Sequence, residues 1–299
     1  MRLLIVGSKG FIGLHCVKYF LEKADVWECD VIPDYANKQY FMIDTTNTDY
    51  SEIFQTQNFD VCINCSGAAS VTDSFIHIQR DFQLNTVNVF KILDTIRRFS
   101  PACKFLNLSS AAVYGNPAEL PVKENQPLEP MSPYGFHKKQ AEEICKEYYQ
   151  LFGLKTCSLR IFSTYGEGLR KQIFWDLYQK ITSSDEITMS GTGCETRDFI
   201  HIVDLLTQIE LAVKNSGFQG EVINSANGVQ IKIKDLVSLF VSKANWIGKI
   251  SFNGVIRKGD PLNWVADISI LKEFGYIQQI SIENGIEKYL KWLRENELH

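Results

Sequence analysis

Short apolar runs alternate with amphipathic segments through the first half of the chain. The apolar runs are typical of buried strands, and the segments between them carry apolar residues at helical spacing. The pattern predicts strands at Arg2–Val6, Val26–Val31, Val61–Cys65, Lys104–Leu108 and Lys155–Ile161. It predicts helices at Phe11–Lys23, Tyr50–Gln57, Ser74–Phe99 and Pro133–Phe152. Because strands alternate with helices, we expect a doubly wound α/β fold, with a parallel sheet that helices cover on both faces.

The alternation loosens after about Thr164. This part of the chain predicts a strand at Glu221–Ser225 and helices at Phe174–Thr182, Ile202–Lys214, Lys234–Lys243 and Ile282–Arg294. We therefore expect two lobes. The sheet takes residues 1–163 and parts of 195–226, and a smaller α+β lobe takes residues 164–194 and 227–299.

The composition is that of a globular protein, since 45% of the 299 residues are hydrophobic and 22% are charged. Lysine and arginine number 31 against 35 aspartates and glutamates, a formal net charge of -4. This balance indicates neither a nucleic-acid partner nor an anionic membrane surface. No apolar run approaches the roughly 20 residues of a spanning helix, and Gly7 interrupts the N-terminal run before a signal-peptide core can form. We expect a cytoplasmic protein.

The eight cysteines are scattered through apolar segments without a framework spacing, which fits reduced thiols. Cys62 and Cys65 form a C-x-x-C pair. A zinc site needs a second pair nearby, and a thioredoxin-like motif opens a helix, whereas this pair ends a predicted strand. We expect two packed strand cysteines and no metal site.

Three glycines with G-x-x-G-x-x-G spacing separate the first strand from the first helix: Gly7, Gly10 and Gly13. Glycines at such a turn allow a tight bend and let backbone N–H groups approach a pyrophosphate. Asp30 ends the second strand, where a carboxylate can accept both hydroxyls of an adenosine ribose. Asp44 follows a further apolar run and can reach the adenine amino group. Together these features predict a dinucleotide-binding site.

The choice between NAD and NADP depends on two side chains. Asp30 repels a 2′-phosphate and favours NAD. Lys9 lies beside the middle glycine, where it can either pair with such a phosphate or extend into solvent. We predict NAD and leave NADP open.

Tyr134 and Lys138 lie four residues apart at the start of a predicted helix, and therefore on one face of it. Ser132 is a good N-cap for this helix, and Pro133 is a good first residue. A free phenol titrates near about 10, but a neighbouring ammonium and a positive nicotinamide ring stabilise the phenolate. Ser110 follows a central strand, at the end where ligands bind in open α/β sheets. The three side chains predict proton-transfer chemistry beside a dinucleotide.

With these motifs, the chain resembles the extended short-chain dehydrogenases/reductases of the nucleotide-sugar epimerase/dehydratase type. Further matching segments are Ser66–Val71, Ser109–Gly115, Leu159–Gly166, Arg197–His201 and Arg257–Asp260. The resemblance implies a Rossmann-like fold, a nucleotide-diphosphate sugar as substrate and a homodimer through the long helices. It also implies that Ser110, Tyr134 and Lys138 form a catalytic triad.

The resemblance assigns further residues to each ligand. Besides Tyr134 and Lys138, the residues expected at the cofactor are Gly7, Gly10, Phe11, Ile12, Gly13, Asp30, Asp44, Thr45, Ser66, Gly67, Ala68, Asn85 and Phe162. Besides Ser110, those expected at the substrate are Val71, Ser163, Arg197, Arg257 and Asp260.

Two departures narrow the function. Dehydratases of this type carry Asp-Glu where this chain has Ala111 and Ala112, and methyl groups transfer no protons, so we expect no 4,6-dehydratase. Ser163 stands where many epimerases carry Asn, which leaves the sugar undetermined. His137, beside Lys138, is expected to be structural or solvent-facing.

The leading hypothesis is a nucleotide-sugar 4-epimerase that transiently oxidises C4 and returns the hydride with NAD bound. The alternative is an NAD(P)H-dependent reductase of a nucleotide-linked 4-keto-6-deoxy sugar. A third hypothesis, from another class, is a cofactor-binding scaffold without turnover, which the complete triad disfavours.

Overall fold

A computed structural model describes residues 1–45 and 47–296. In chain order, its strands are β1 (Arg2–Val6), β2 (Asp25–Asp30), β3 (Tyr40–Met42), β4 (Val61–Asn64), β5 (Lys104–Ser110), β6 (Thr156–Ile161), β7 (Ser163–Tyr165), β8 (Glu186–Met189), β9 (Thr196–His201), β10 (Gln219–Ser225), β11 (Gln230–Lys232) and β12 (Lys249–Phe252).

The helices cover both faces of the sheet and build the second half of the chain. They are α1 (Phe11–Phe20), α2 (Ser51–Thr56), α3 (Val71–Ile76), α4 (Ile78–Phe82), α5 (Asn88–Phe99), α6 (Pro133–Phe152), α7 (Gln172–Ser183), α8 (Ile202–Asn215), α9 (Ile233–Ala244), α10 (Ser269–Glu273) and α11 (Ile282–Asn296). A single 3₁₀ turn, Ala111–Val113, follows β5.

Seven strands form one parallel sheet in the order β10-β6-β5-β4-β1-β2-β3. The chain winds outwards from β1 in one direction and from β4 in the other, so the strand order reverses between them. At such a reversal a crevice opens beyond the carboxyl ends of the strands. This confirms the predicted doubly wound α/β fold and places the glycine turn after β1 at the crevice.

The two faces of the sheet bury separate clusters. One cluster packs sheet residues such as Ile5 and Leu106 against α1 and α8. The other packs Phe105 and Cys62 against α5 and α6. Every residue of β4 and of β6 is buried, as a strand covered on both faces requires.

The second half of the chain adds two small sheets, in the orders β11-β9-β7 and β12-β8. A third apolar cluster joins them to α7, α9 and α11. The division into lobes at the boundaries given above stays a prediction. Several of these strands have only three or four residues, and the sequence pattern did not indicate them.

The single long helix expected over Ser74–Phe99 is wrong. The chain instead forms α3 and α4, a π-helical turn at Gln83–Val87, and then α5. The extra residue of a π turn shifts the helical register locally and is often found at functional sites. Here it buries Asn85 and Thr86 on the side that faces α6.

Candidate active site

Two of the three glycines, Gly7 and Gly13, have no room for a side chain. Gly7 has φ +79, and a Cβ on Gly13 would lie 2.0 Å from the Gly7 carbonyl oxygen. A Cβ on Gly7 would lie 2.6 Å from the backbone nitrogen of Ser66. Gly10 precedes α1 without a side-chain cap, so the first N–H groups of α1 remain available to an anion. Phe11 and Ile12, the next two of the expected residues, are half-buried in the first turn of that helix.

Asp30 lies at the end of β2 and is held by the backbone. Its carboxylate accepts N–H groups from Lys9 at 2.9 Å and from Val31 at 2.7 Å. The Lys9 ammonium is paired with Glu28 at 3.1 Å and with Asp34 at 2.6 Å. Lys9 is therefore neither solvated nor free for a 2′-phosphate, and the carboxylates around it favour a ligand without that phosphate.

The remaining cofactor candidates follow β3 and β4. Asp44 and Thr45 come after β3 and are exposed. Ser66, Gly67 and Ala68 form the loop after β4. The Ser66 hydroxyl donates to Asn64 at 2.6 Å and accepts from the Asn88 amide at 2.9 Å. These bonds fix the start of the loop against α5.

Helix α6 begins as its sequence predicts. The Ser132 side chain accepts the N–H of Gly135 at 3.1 Å, and Pro133 is the first helical residue. Tyr134 and Lys138 lie on the inner side of the first two turns, and the Lys138 ammonium is 5.9 Å from the centroid of the Tyr134 ring. The same ammonium donates to the Leu108 carbonyl of β5 at 2.9 Å.

Burial dominates the electrostatics of the triad. It raises the pKa of Tyr134 to about 12, against a lowering effect of a hydrogen bond with Ser110. It lowers the pKa of Lys138 to about 8, although the charges of Asp81 and Glu142 oppose this change. Ser110 is the last residue of β5. The structure therefore brings Ser110, Tyr134 and Lys138 together, and the phenol needs a positive charge beside it to act as a base at neutral pH.

Asn85 provides a test of whether a dinucleotide fits. Among residues 1–45 and 47–296, no group hydrogen-bonds its buried side-chain amide, and the same holds for the buried hydroxyl of Ser8 in the glycine turn. A Cβ on Gly67 would lie 2.5 Å from the Asn85 side-chain oxygen and 3.4 Å from the Lys138 ammonium. Buried polar groups are rarely left unpaired. The glycine cradle and these two orphaned groups fit a polar ligand that lies along the crevice.

A buried ion pair joins α6, the helix that carries Tyr134 and Lys138, to the sheet. Arg160 on β6 contacts Glu142 on α6 at 2.7 Å, and Glu142 also accepts the Ser109 hydroxyl at 2.5 Å. Arg160 further donates to the Tyr114 hydroxyl at 2.8 Å. Sequence reasoning missed this support, although Glu142 stands four residues after Lys138 and hence on the same face of α6.

A second pair ties α6 to α4. His137 is buried and contacts Asp81 at 2.5 Å. Its carbonyl oxygen accepts the hydroxyl of Thr86 at 3.0 Å. His137 is thus structural, as one of the two expectations had it, and it is not solvent-facing.

The other end of the crevice holds Phe162, which was expected at the cofactor, and the residues expected at the substrate. Phe162 is buried between Tyr114 and Trp264, with ring centroids at 6.3 and 5.7 Å. Ser163 begins β7 and is half-buried. Aromatic packing thus fixes Phe162 directly after Ile161, the residue of β6 that pairs with Ser110 of β5.

Arg197, Arg257 and Asp260 meet at this end. Arg197 is the second residue of β9, and its guanidinium lies 5.7 Å from the centroid of the Trp264 ring. Arg257 is exposed and donates to the Ser190 hydroxyl at 3.2 Å. Burial raises the pKa of Asp260, and the charges of both arginines lower it, so the three groups share one electrostatic neighbourhood. Two guanidinium groups at one site suit a diphosphate.

Residues 257–260 also contact the N-cap of α6, the helix that carries Tyr134 and Lys138. A Cβ on Gly259 would lie 2.9 Å from Val71 on α3 and 3.3 Å from the Cβ of Ser132. The segment that carries Arg257 and Asp260 therefore packs on the residue that begins α6. The substrate end and the triad are continuous.

Within residues 1–45 and 47–296, no group of three or more His, Cys, Asp or Glu side chains is placed to hold a metal ion. In the same part of the chain, none of the helices has the length and apolar character needed to cross a bilayer.

Relatives and solved structures match the chain over nearly its whole length. A putative UDP-glucose 4-epimerase of Methanocaldococcus jannaschii is 26% identical, over 98% of this chain and 99% of the relative. The UDP-glucuronic acid 4-epimerase of Bacillus cereus, solved with UDP-glucuronic acid and NAD, has a TM-score of 0.88, is 25% identical and matches over 99% of both chains. The dTDP-D-glucose 4,6-dehydratase of Bos taurus is 21% identical, over 99% of this chain and 89% of the relative.

The family model for NAD dependent epimerases/dehydratases matches residues 3–226. This range holds the glycine turn, the π turn and the triad, and it includes β10, the last strand of the large sheet. The chain therefore belongs to the NAD dependent epimerase/dehydratase family.

Proposed function

We propose that the protein is a nucleotide-sugar 4-epimerase that uses tightly held NAD. The observation that carries the proposal is the convergence of Ser110, Tyr134 and Lys138 between an uncapped glycine turn and a pair of arginines. The UDP-sugar 4-epimerases among its relatives support the same function. No net oxidation occurs, so the cofactor need not leave between turnovers.

Each residue of the triad has one task. Tyr134, as the phenolate, takes the proton of the sugar 4-hydroxyl, and Ser110 donates a hydrogen bond to the same oxygen. The Lys138 ammonium stabilises the phenolate. NAD held in the glycine cradle would supply the acceptor and donor of the hydride that leaves C4 of the sugar and returns to it. Tyr134 then gives its proton back to the 4-oxygen.

Different residues would bind the cofactor and the diphosphate of the substrate. Asp30 would accept the adenosine ribose hydroxyls, the N-terminus of α1 would face the pyrophosphate, and Asn85 would pair with the nicotinamide half. Arg197 and Arg257 would hold the diphosphate of the substrate while the keto-sugar turns about its linkage.

The chain lacks a proton carrier for dehydration next to Ser110. Ala111 and Ala112 occupy the 3₁₀ turn directly after it, and both are buried. Since neither methyl group can remove or add a proton, we propose that water loss does not follow the oxidation at C4. The paired state of Lys9 supports NAD over NADP.

The test is a panel of nucleotide sugars, including UDP-glucose, UDP-glucuronic acid and UDP-N-acetylglucosamine, incubated with the purified protein and NAD. We expect interconversion of 4-epimers without net NADH change, observed by NMR. Consumption of NADPH with a 4-keto-6-deoxy sugar would instead establish the reductase alternative. Formation of a 4-keto-6-deoxy product would establish a dehydratase.

We also propose a homodimer through α5 and α6. Phe90 on α5 and Phe136 and Leu151 on α6 are 48, 51 and 70% exposed. Beside this face, an open groove between α6 and the segment formed by α4 and the π turn is lined by Phe82, Thr86, Phe136 and other residues. Light scattering should give twice the chain mass, and Phe136→Glu should shift it towards the monomer.

A further inference from the structure

Two thiols meet beneath the glycine turn. The sulfur atoms of Cys16 and Cys65 are 3.9 Å apart. We propose that Cys65 is an oxidation site and Cys16 its resolving partner, so that a hydroperoxide joins them in a disulfide when the crevice holds no dinucleotide. The consequence for the cofactor rests on the dinucleotide site proposed above, whereas disulfide formation does not.

The fold, and not the C-x-x-C spacing, selects this pair. Cys65 lies one residue beyond β4, so the expectation of two strand cysteines is wrong for it. It packs with Cys16 in the cluster under α1, whereas Cys62 is buried in the cluster on the opposite face of the sheet. The backbone N–H of Cys65 donates to Val6 at 2.8 Å, which holds it directly below the turn.

The two thiols differ in access and in reactivity. Cys65 is half-buried and directly precedes the Ser66–Gly67 loop, whereas Cys16 is fully buried on α1. Hydrogen bonding with Cys65 and burial raise the pKa of the Cys16 thiol well above its usual value. Cys65 therefore reacts first, and Cys16 stays protonated until it resolves the product.

The chemistry balances with one equivalent of hydroperoxide. The Cys65 thiolate attacks the peroxide oxygen, the O–O bond breaks, and the leaving oxygen takes a proton as water or alcohol, which leaves a sulfenic acid on Cys65. The Cys16 sulfur then attacks the Cys65 sulfur. The S–O bond breaks, hydroxide leaves with the Cys16 proton as water, and the S–S bond forms. Two thiols are oxidised and the peroxide is reduced.

The disulfide competes with the dinucleotide. A disulfide needs the sulfur atoms about 2.05 Å apart, so the present 3.9 Å closes by rotation of the two side chains together with a shift of α1 against the loop after β4. Gly7 lies between them, and even a Cβ there would come 2.9 Å from the Cys65 carbonyl carbon. The glycine turn therefore cannot accommodate this movement without a change in its own backbone conformation. By reciprocity, a ligand that needs the turn in its present shape opposes the disulfide by the same factor by which the disulfide opposes the ligand.

The primary test uses the full-length, cofactor-free protein and hydrogen peroxide. Peptide mapping should identify a linked Cys16–Cys65 pair that a reductant reverses. Cys65→Ser, Cys65→Ala and Cys16→Ser should each abolish the link, and two variants at Cys65 guard against a folding defect. Cys194→Ser, at an exposed position, is the matched control and should leave the link unchanged. Failure of the link to form in the wild type, or its survival in a folded Cys65 variant, overturns the proposal.

A second measurement separates this proposal from the proposed function. NAD should slow formation of the link by about tenfold, and the oxidised protein should bind NAD about tenfold more weakly until it is reduced. If the link forms but equally fast with saturating NAD, the competition is wrong. If the reduced protein does not bind NAD at all, the proposed function is wrong, but detection of the linked Cys16–Cys65 peptide still supports disulfide formation.

Discussion

The two ends of the crevice differ in the atoms that form them, which are main-chain atoms at one end and long side chains at the other. At the cofactor end, main-chain atoms approach so closely that Gly13 and Gly7 have no room for a Cβ, and backbone N–H groups hold Asp30. At the substrate end, long side chains converge from separate segments, and Arg257 is exposed. A site made of backbone suits one ligand that never changes. A site made of side chains can be adapted to a new sugar by single substitutions.

Tyr134, the proposed proton carrier, lies between the two ends, and its substitution should lower the reaction rate without changing the affinity for either ligand. Tyr134→Phe removes only the hydroxyl, so we expect kcat to fall about 10²- to 10⁴-fold while affinity for either ligand changes by less than about threefold. Steady-state epimerisation and titration calorimetry measure the two quantities. A variant as active as the wild type would revive the scaffold hypothesis.

The cofactor end should not tolerate a single methyl group. In Gly13→Ala the new Cβ would lie 2.0 Å from the Gly7 carbonyl oxygen, so we expect NAD affinity to fall by about 100-fold or more. Gly153→Ala is the control, because no atom lies within 4 Å of its Cβ position although φ is +68. The control should lose only about 1 kcal/mol of stability and keep its NAD affinity. Equal effects at both glycines would contradict the contrast between the ends.

The substrate end should respond in KM alone. In Arg197→Ala the diphosphate loses a half-buried guanidinium, so we expect KM to rise about 10- to 100-fold with kcat within about twofold. Arg257→Ala should raise KM by less than about fivefold, because that side chain is exposed and its pairing with Asp176 is long, at 3.6 Å. Weaker NAD binding in Arg197→Ala would show that the ends are not independent.

Lys138 should make stability depend on pH. Burial lowers its pKa to about 8 from an ordinary value of 10.5, so between these pH values the unfolded chain binds a proton that the folded chain does not. Its contribution to stability therefore rises with pH in this window. Tyr134, whose pKa is raised, acts in the opposite direction only above about 10. Between pH 8 and 10, urea unfolding of the cofactor-free wild type should gain about 1–2 kcal/mol relative to Lys138→Met. Parallel pH profiles of the two proteins would disprove this.

The smallest effect is expected at Lys9. Its ammonium is already paired with Glu28 and Asp34, so Lys9→Gln should change NAD affinity by less than about threefold and leave NADP binding as weak as before. Fluorescence titration with both dinucleotides measures this. A selective loss of NADP affinity would restore the phosphate-binding role.

The residues that sequence reasoning located are those whose role follows from local spacing. Gly7, Gly10 and Gly13 fall within seven consecutive residues, and Tyr134 and Lys138 lie in one helix, so no tertiary information is needed to group them. The burial of Asn85 depends on the π turn, which breaks the periodicity that a continuous helix assumes. That turn was not predictable from apolar spacing alone.

Contacts between residues far apart in the sequence were likewise not predictable from local patterns. Arg160 and Glu142 come from different elements, and only the packing of α6 on the sheet joins them. Cys16 and Cys65 are 49 residues apart and meet because α1 covers the end of β4. Short strands such as β7 and β11 have three residues each, which is too few for an alternation pattern to develop.

The contacts of Ser132 connect the start of α6 with residues 257–260. It starts α6 by accepting the N–H of Gly135, and its Cβ lies against the position of Gly259. The segment 257–260 and the start of α6 are therefore one packed unit, two residues from Tyr134. A larger side chain at residue 259 would press on the cap of this helix before it reached any ligand, so the segment cannot be enlarged there without disturbing the helix that carries the phenol.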